Sequence, residues 1–337
     1  MQTAPTALNA AGMVVGGLRP TVDALPAFIY GRFLNGLNSK DIRRELSIPP
    51  GATWVFPKGI NARAQIVGFA NERTRQTNHA VIWEWQPAEL SNRLNAALKI
   101  EALDDNSAVS SEAAAINNRG EIVGARWTPD GICHACRWHN GLQSELDRQN
   151  RTDWRPTGIN DTGDIVGWGL DALNRSHLFH WHDNILTDLG RGYQIALNQR
   201  GQIAGDYEIP EHLFRACIWN GNLRADLPML SGTNESHALA LNDRGQIVGR
   251  AVRVNTMQSR NESGAERTDY GMPHPVLWEG GSVRDLNTLL PVGTPYVLEE
   301  AIGINDTGQI LCTARQGIWG RAVLLTPIDS HWTIECF

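Results

Sequence analysis

The fold of this chain is decided by Ile304-Asn305-Asp306-Thr307-Gly308-Gln309-Ile310, because nearly the same segment occurs six more times. The other copies are Leu8-Asn9-Ala10-Ala11-Gly12, Ile60-Asn61-Ala62-Arg63-Ala64, Ile116-Asn117-Asn118-Arg119-Gly120, Ile159-Asn160-Asp161-Thr162-Gly163, Leu197-Asn198-Gln199-Arg200-Gly201 and Leu241-Asn242-Asp243-Arg244-Gly245. Successive Asn residues lie 38 to 63 positions apart, and an apolar pair follows every copy. Self-similarity at such a period indicates a repeat architecture running through the chain.

Each copy predicts a β-hairpin, because an Asn side chain can bond its own backbone two residues on and Gly adopts the left-handed conformation that closes a short loop. The apolar residue before Asn ends one strand, and the apolar pair after Gly begins the next. A variable segment and a third strand follow, and a tight turn then leads to a short closing strand. The third strands are His79-Ala80-Val81-Ile82-Trp83, His134-Ala135-Cys136-Arg137-Trp138, His177-Leu178-Phe179-His180-Trp181, Ala216-Cys217-Ile218-Trp219 and Pro275-Val276-Leu277-Trp278.

Four short antiparallel strands of this size make one blade of a β-propeller, and repetition about an axis hides the sheet edges. We therefore predict an all-β chain in which residues 1–337 form a single domain, a seven-bladed β-propeller of four-stranded antiparallel blades. Whether the C-terminal tail completes its own blade, or residues 1–6 lend the closing strand, is left open. The predicted blades are 1–53, 54–110, 111–152, 153–190, 191–230, 231–296 and 297–337.

The repeat also sorts the loops into two faces. The turns after strands one and three are short and stereotyped and should lie together on what we call the short-turn face. The connections after strands two and four vary in length and should lie on the opposite, variable-loop face, where function tends to be found. Two insertions stand out: Leu90 to Leu103 has the apolar spacing of a short helix, and Arg253 to Met272 is read as a lid or mobile loop.

The seven Asn-x-x-Gly-x-Ile-Val-Gly segments, paired with strands like His-Ala-Val-Ile-Trp, resemble the HAF-repeat (extracellular repeat) β-propeller family. The resemblance covers nearly the whole chain and implies a β-propeller. It implies little about function, because the family has no shared catalytic motif. The chain departs from the pattern where Ala64 replaces the turn Gly, where Cys312 replaces the Gly after the apolar pair, and where Leu324-Leu325 replaces the last Trp.

Composition excludes several classes of function. The 337 residues carry a formal net charge of −6 and a pI near 5.9, whereas a nucleic-acid surface needs a basic field. No apolar run approaches the length of a membrane span, so we expect neither nucleic acid nor membrane as a partner. The N-terminus lacks a signal-peptide pattern, which predicts a cytoplasmic protein, or an extracellular or periplasmic one if a leader has been removed. Five Cys, an odd number, favour reduced thiols.

One column of the repeat, five residues before the turn Asn, is chemically heterogeneous. It holds Ala4, Phe56, Glu112, Arg155, Tyr193, His237 and Glu300. One such residue per blade near the channel mouth would form an irregular polar ring that supplies a general base and a cation. Exposed strand starts that vary without function are the alternative. The catalytic candidates are Glu112, His237 and Glu300 for proton transfer, with Arg155 and Tyr193 to orient substrate or stabilise charge.

Several aromatic residues do not recur from blade to blade, unlike the third-strand Trp residues. A propeller lectin usually repeats its sugar-stacking aromatic in many blades, so single aromatics favour one asymmetric pocket with apolar walls. Trp residues that only pack the core are the alternative. The predicted substrate-binding residues are Trp54, Phe56, Trp127, Trp154 and Trp168.

The sequence gives little support for a metal or a cofactor. His180 and His182 flank Trp181 at a spacing compatible with a metal, but no acidic partner is fixed near them by the sequence. Cys133 and Cys136 have the gap of a zinc knuckle, but a structural zinc site needs a second pair. Nucleophile-elbow, Walker A and dinucleotide-binding motifs are absent from the sequence. We therefore expect no metal and no cofactor.

These features lead to one functional hypothesis and one alternative. The hypothesis is a small-molecule-binding propeller with one pocket at the channel mouth on the variable-loop face. It would carry out cofactor-independent acid–base chemistry of the lyase or cyclase type on an organic metabolite, for example in biosynthesis. The alternative is a non-catalytic propeller that binds a glycan or a protein partner, which predicts a broad exposed face instead of a deep pocket.

Overall fold

The turn Asn residues form the hairpins that the sequence predicts. In all seven copies the Asn Oδ1 accepts the backbone N–H four residues on, at 2.9–3.0 Å. The turn Gly that follows is left-handed, as at Gly120 with φ 83°, and Ala64 takes the same conformation with φ 60°. Side-chain and backbone chemistry of the turn therefore set the start of every blade.

The structure is a computed structural model that describes residues 2–19, 27–35, 38–72, 77–85, 98–103, 109–146, 153–221, 223–260, 266–317, 319–328 and 331–336. It is all-β, with seven four-stranded antiparallel blades arranged in a ring. The predicted seven-bladed β-propeller is confirmed.

The first four blades are simple antiparallel meanders, in which each strand pairs with the next. Blade one comprises β1 (Gln2–Leu8), β2 (Val14–Arg19), β3 (Ala27–Asn35) and β4 (Asn38–Glu45). Blade two comprises β5 (Trp54–Ile60), β6 (Ile66–Glu72), β7 (Thr77–Trp85) and β8 (Leu98–Ala102). Blade three comprises β9 (Ser110–Ile116), β10 (Ile122–Trp127), β11 (Cys133–His139) and β12 (Leu142–Glu145). Blade four comprises β13 (Trp154–Ile159), β14 (Ile165–Leu170), β15 (Ser176–His182) and β16 (Ile185–Arg191).

The last three blades repeat this plan, with one additional two-stranded ribbon in blade six. Blade five comprises β17 (Ile195–Leu197), β18 (Ile203–Ile209), β19 (Leu213–Asn220) and β20 (Leu223–Asp226). Blade six comprises β21 (Glu235–Leu241), β22 (Ile247–Val252), β25 (His274–Glu279) and β26 (Ser282–Asp285), and its ribbon comprises β23 (Val254–Arg260) and β24 (Glu266–Tyr270). Blade seven comprises β27 (Val297–Ile304), β28 (Ile310–Gln316), β29 (Trp319–Ile328) and β30 (His331–Cys336). Short 3-10 helices span Pro210–His212 and Leu286–Leu289.

Both insertions contain strands that the sequence analysis did not predict. The segment Arg253 to Met272, predicted as a lid or mobile loop, contains the ribbon β23–β24, and the side chain of Asn234 bonds both the N–H and the C=O of Val254 at its base. The described part of the predicted helix, Leu98–Ala102, is strand β8, while residues 90–97 lie outside the described residues. Among the described residues no helix is long and apolar enough to cross a membrane.

Apolar side chains fill the space between adjacent blades. The third-strand Trp residues are all buried: Trp83, Trp138, Trp181, Trp219 and Trp278. Each belongs to an apolar cluster formed by residues of two neighbouring blades. Trp138, for example, packs with Val67 of blade two and Cys136 of blade three. The recurring Trp column is therefore part of the scaffold, as predicted.

The turn Asn side chains also join the blades in a closed circle. Each Asn Nδ2 donates a hydrogen bond to the carbonyl oxygen of the turn Asn in the next blade, at 2.9–3.2 Å. The seventh bond runs from Asn305 back to Asn9. Blade seven is completed by its own C-terminal strand β30, and β1 is the inner strand of blade one. Within the part of the chain that the structure describes, the ring is thus closed by contacts, without strand exchange between the termini.

Candidate functional site

A β-bulge positions the heterogeneous column of the repeat. In six of the seven inner strands the pairing shifts between the fourth and second residues before the turn Asn, as between Ala238 and Ala240. The Gly after the apolar pair allows this bulge, because a Cβ at Gly249 would lie 2.0 Å from the carbonyl oxygen of His237. The backbone of the residue five positions before Asn is therefore held tightly against the second strand.

The charged side chains of this column lie between blades. Glu112, His237 and Glu300 each contact the preceding blade instead of converging on the channel axis. They therefore divide into separate groups at different blade junctions, each near the variable-loop face where the inner strands start.

The junction of blades two and three holds Glu112. Its carboxylate accepts hydrogen bonds from Lys58 Nζ at 2.8 Å and from Asn78 Nδ2 at 2.8 Å. The Lys58 ammonium also lies 5.4 Å from the ring of Phe69. The predicted wall residues Trp54 and Phe56 pack on that same ring, at centroid distances of 5.5 and 5.7 Å. Glu112 is thus engaged in an ion pair beside an aromatic cluster.

The junction of blades three and four holds Arg155 between two aromatic rings. Its guanidinium carbon lies 5.3 Å from the ring of Trp127 and 5.0 Å from that of Trp168, within cation–π distance. Asp153 accepts from Arg155 Nε at 3.0 Å. Trp154 differs from the prediction, because it is fully buried in the apolar cluster between these blades and cannot line a pocket.

The junction of blades five and six holds His237 between two carboxylates. His237 Nδ1 lies 2.5 Å from Asp206 Oδ2, and His237 Nε2 lies 3.1 Å from Glu235 Oε1. The exposed fractions of these side chains are 5% for His237, 0% for Asp206 and 9% for Glu235. Burial acts to lower the pKa of His237, but the hydrogen bonds to Asp206 and Glu235 outweigh it and raise the pKa above its ordinary value.

Two further column residues adjoin this buried group. Glu300 of blade seven forms an ion pair with Arg250, which lies directly opposite His237 in the pairing of β21 with β22. Tyr193 is exposed, and its ring packs 4.7 Å from Phe214, which in turn stacks 5.9 Å from His237. The backbone N–H of Tyr193 donates to Asp206 Oδ1 at 2.6 Å.

The structure therefore brings together some of the predicted residues and separates others. His237, Tyr193 and Glu300 belong to one group across blades five to seven, whereas Glu112 and Arg155 belong to two other junctions. Sequence reasoning missed the closest partners of His237, which are Asp206, Glu235 and Arg250. Asp206 and Arg250 share a repeat position, directly after the Gly that follows the apolar pair, and that column is as heterogeneous as the one we chose.

Two cavities lie away from these groups. One of about 200 Å³ opens at the channel mouth on the short-turn face and is lined by turn residues such as Asn117, Asn242 and Asn305. The other, about 710 Å³, lies at the outer edge between blades two and three and is lined by residues such as Trp138 and Gln143. Neither is lined by any of the ten predicted site residues. A pocket on the variable-loop face stays a prediction.

The histidines that open the third strands make scaffold contacts. His134 Nδ1 lies 2.6 Å from Glu145, His177 Nδ1 lies 3.1 Å from Asp188, and His274 Nδ1 lies 2.7 Å from Asp285. In each case the acid comes from the closing strand of the same blade.

The structure places an acidic partner, which the sequence did not fix, near His180 and His182. Asp164 Oδ1 lies 3.2 Å from His180 Nε2 and 2.5 Å from His182 Nδ1. Burial acts to raise the pKa of Asp164, but hydrogen bonds from Asn160, Thr162 and the two imidazoles hold it below its ordinary value. The sequence signal for this contact is the position of Asp164 four residues after the turn Asn.

The cysteines are free thiols among the described residues, in agreement with the odd number in the sequence. Cys133 and Cys136 are both buried and lie three residues apart on β11, so their side chains point to opposite faces of the sheet. Burial raises the pKa of each thiol to about 12. They are therefore neutral thiols and form neither a zinc knuckle nor a redox pair.

Comparison with solved structures shows the propeller fold. Acylaminoacyl peptidase from Pyrococcus horikoshii is 12% identical with a TM-score of 0.54; the match covers 98% of this chain and 52% of that one, so this chain spans about half of the peptidase. TolB from Acinetobacter baumannii is 10% identical with a TM-score of 0.48, over 99% and 84% of the two chains. The Aleuria aurantia lectin, a six-bladed propeller that recognises fucose, is 10% identical with a TM-score of 0.37, over 82% and 92%.

At these identities the likeness concerns the fold alone. No family model matches the chain, and no curated protein matches it. The resemblance to the HAF-repeat family stays a prediction.

Proposed function

We propose that this protein binds a small organic molecule at the junction of blades five to seven on the variable-loop face and transfers protons to or from it without a cofactor. The site comprises Asp206, Glu235, His237, Arg250 and Glu300. The broader conclusion, that a propeller of this kind serves binding or catalysis, agrees with the range of proteins that share the fold.

One observation carries this proposal: three ionisable side chains are almost completely buried at a single blade junction. Asp206, Glu235 and His237 are each no more than 9% exposed. Burying charged groups costs free energy even when they are paired, and packed apolar residues often serve stability better. Clusters of buried, mutually perturbed ionisable groups are therefore more common at functional sites than in a passive scaffold.

The hydrogen bonds divide the roles within this cluster. Asp206 accepts from His237 and from the backbone N–H groups of Tyr193 and Gln194, at 2.5, 2.6 and 3.2 Å, so these three donors hold its carboxylate in place. Both ring nitrogens of His237 face carboxylates, so His237 acts as a positioning residue and not as the proton donor. Glu235 Oε1 is held by His237, whereas no contact among the described residues engages its second oxygen. Glu235 is thus the group that can exchange a proton with a ligand.

Arg250 supplies a positive charge beside His237, which it faces in the pairing of β21 with β22. It is paired with Glu300, but its buried Nε has no hydrogen-bond partner among the described residues. Buried donors are nearly always satisfied, so a donor left over in a cluster of this kind is consistent with a ligand oxygen that completes it. An acidic or carbonyl-bearing molecule would place its oxygen on Arg250 and the proton to be transferred near Glu235.

Thermal-shift screening with a library of soluble organic metabolites tests this proposal. We expect a compact acid or carbonyl compound to raise the melting temperature of the wild type. Incubating that compound with the protein in D₂O, and following deuterium incorporation by mass spectrometry, then reports proton transfer. The variant Glu235→Gln should bind the compound but exchange its protons at least ~100-fold more slowly, the lower end of what general acid–base catalysis contributes.

The matched control is Glu279→Gln, which changes an exposed carboxylate on the short-turn face that pairs with Arg284. It should bind and exchange as the wild type does. The proposal fails if no compound stabilises the wild type, or if Glu235→Gln exchanges protons at the wild-type rate.

The arrangement around Arg155 favours a second candidate function, glycan binding without catalysis. Trp127 and Trp168 are partly exposed around the Arg155 guanidinium, and aromatic rings beside polar donors are suited to stacking against sugars. If this function is correct, a compound from a glycan library would raise the melting temperature of the protein, and the metabolites would not. Trp168→Ala would abolish that stabilisation, and Glu235→Gln would leave it unchanged.

A further inference from the structure

Asp164, His180 and His182 form a cluster on the short-turn face of blade four, away from the junction of blades five to seven. His180 and His182 lie two residues apart on β15, so both imidazoles project from the same face of the strand. Their ring centroids are 6.0 Å apart. One donor atom from each of the three side chains lies within 4.8 Å of the other two.

This spacing fits a metal ion. Ligands at about 2.0–2.1 Å from a tetrahedral Zn²⁺ lie about 3.3 Å from one another. Asp164 Oδ1 already lies 3.2 Å from His180 Nε2 and 2.5 Å from His182 Nδ1. Rotating the exposed imidazole of His182 slightly outward would place all three donors at binding distance.

The carboxylate and one imidazole are oriented for this role by further hydrogen bonds. Asp164 Oδ2 accepts from Asn160 Nδ2 at 2.9 Å and from Thr162 Oγ1 at 2.7 Å, which leaves Oδ1 to face the two imidazoles. Asp183 lies 3.2 Å from His182 Nε2. A carboxylate that accepts the second ring N–H fixes the tautomer of a metal-binding histidine, here with Nδ1 free for the metal.

The equivalent contacts in the other blades show how this cluster differs from the repeated scaffold. The side chain four residues after the turn Asn contacts the third strand in blades two to seven. The partners elsewhere are Gln65 with Glu84, Glu121 with Arg137, Gln202 with Asn220, Gln246 with Glu279 and Gln309 with Thr326. Among the described contacts, each of those pairs joins an amide or guanidinium donor to an oxygen. In blade four the same position places one carboxylate against two imidazoles, which are the side chains that bind transition metals.

We propose that Asp164, His180 and His182 bind a divalent transition-metal ion, with Zn²⁺ the ion best suited to these donors. Two imidazole nitrogens and one carboxylate oxygen suit Zn²⁺ and its neighbours, whereas Mg²⁺ and Ca²⁺ prefer sites built from oxygen alone. The side chain of His182 is 56% exposed, so the ion can enter from solvent and water can complete its coordination. Three protein ligands with one open position are typical of accessible zinc sites.

Titration of tag-free, chelator-treated protein with ZnCl₂ by isothermal calorimetry tests the proposal, with CoCl₂ absorption spectra reporting the coordination geometry. We expect one saturable equivalent of Zn²⁺ per chain and the visible bands of tetrahedral Co²⁺. His180→Ala and His182→Ala should each weaken binding by at least ~10-fold, because losing even an outer-shell partner costs that much. Circular dichroism would show that both variants remain folded.

The matched control is His139→Ala, because His139 follows Trp138 in blade three as His182 follows Trp181 in blade four. It should bind Zn²⁺ as the wild type does, and excess MgCl₂ should not displace the ion. The proposal is overturned if the wild type shows no saturable binding, or if the His180 and His182 variants titrate like the wild type. Neither result depends on whether the protein transfers protons at the junction of blades five to seven.

Discussion

His237 is the residue on which the junction of blades five and six depends. Its ring links Asp206 of blade five to Glu235 of its own blade, and Arg250 faces the same cluster. Without the imidazolium, two buried carboxylates would lose the group that neutralises them. Removing one partner from a buried charged cluster costs more than the intact cluster contributes, because the remaining charge is left unpaired.

His237→Gln tests this dependence through the pH profile of stability. Burial lowers the pKa of His237, but the two carboxylates raise it above 6.5, so the folded state binds the proton more tightly than the unfolded chain. The stabilisation is therefore fully present below pH 6.5 and is lost as the pH rises through the folded pKa of His237. We expect the variant to be less stable by about 3 kcal/mol at the acidic end, with a smaller difference at alkaline pH.

Guanidinium unfolding of both proteins at a series of pH values measures this difference. His139→Gln, at an outer strand, serves as the control and should show no such trend. A difference between wild type and His237→Gln that stays constant across the range would contradict the assignment of a raised pKa to His237.

The inner strand is the element that decides where the site residues point. Because of the bulge in this strand, the second strand carries Gly where its backbone lies against the carbonyl oxygen of the residue five positions before the turn Asn. Gly68, Gly124 and Gly249 all share this contact, with a Cβ position 2.0 Å from that oxygen. Blade seven, which has Cys312 here, carries a second bulge between Leu298 and Glu300. The Gly after the apolar pair is thus required because the two backbones approach closely, whereas the turn Gly is required for its left-handed conformation.

Gly249→Ala should disturb both the blade and the site. Its Cβ would collide with the carbonyl oxygen of His237, a backbone atom that cannot move alone, so we expect a loss of about 1–3 kcal/mol. Gly320→Ala is the matched control, because nothing lies within 4 Å of a Cβ there. That change should be neutral or stabilise by up to about 1 kcal/mol. Denaturant unfolding distinguishes the two, and equal effects would show that the close approach does not constrain the blade.

The whole molecule could be predicted from the sequence because its scaffold residues recur. Each turn Asn makes the same bonds in every blade, and each third-strand Trp fills the same space between blades. Seven similar turns therefore indicate seven blades.

The site could not be predicted in the same way, because it depends on the relation between blades. The bulge adds one residue to six of the seven inner strands, and a shift of one residue moves a side chain to the other face of a sheet. Reading the column at Glu112, His237 and Glu300 as a ring around the channel ignored this shift. Asp206 was missed because its partner His237 lies in another blade. Asp164 was missed because His180 and His182, although in the same blade, are distant from it in the sequence.

Closure of the ring is the property of the molecule that no single blade determines. Blades one and seven meet through the hydrogen bond from Asn305 to Asn9 and through the apolar cluster of Val14, Leu311 and Leu324. Every strand that the structure describes in these two blades pairs within its own blade. At every other junction the chain itself continues from one blade into the next, so the junction of blades seven and one should be the first to open.

Leu324→Ala and Leu178→Ala test this expectation as a matched pair. Leu324 is buried at the junction of blades seven and one, and Leu178 is buried at the junction of blades four and five. Each truncation should cost about 2–5 kcal/mol, because each leaves a cavity of similar size. Amide hydrogen exchange, however, should rise in β1 and β28 of Leu324→Ala far more than in any strand of Leu178→Ala. The reason is that the ring can open without breaking a covalent connection only at the junction of blades seven and one. Equal exchange in the two variants would mean that the ring unfolds as one cooperative unit and that its closing junction is no weaker than the rest.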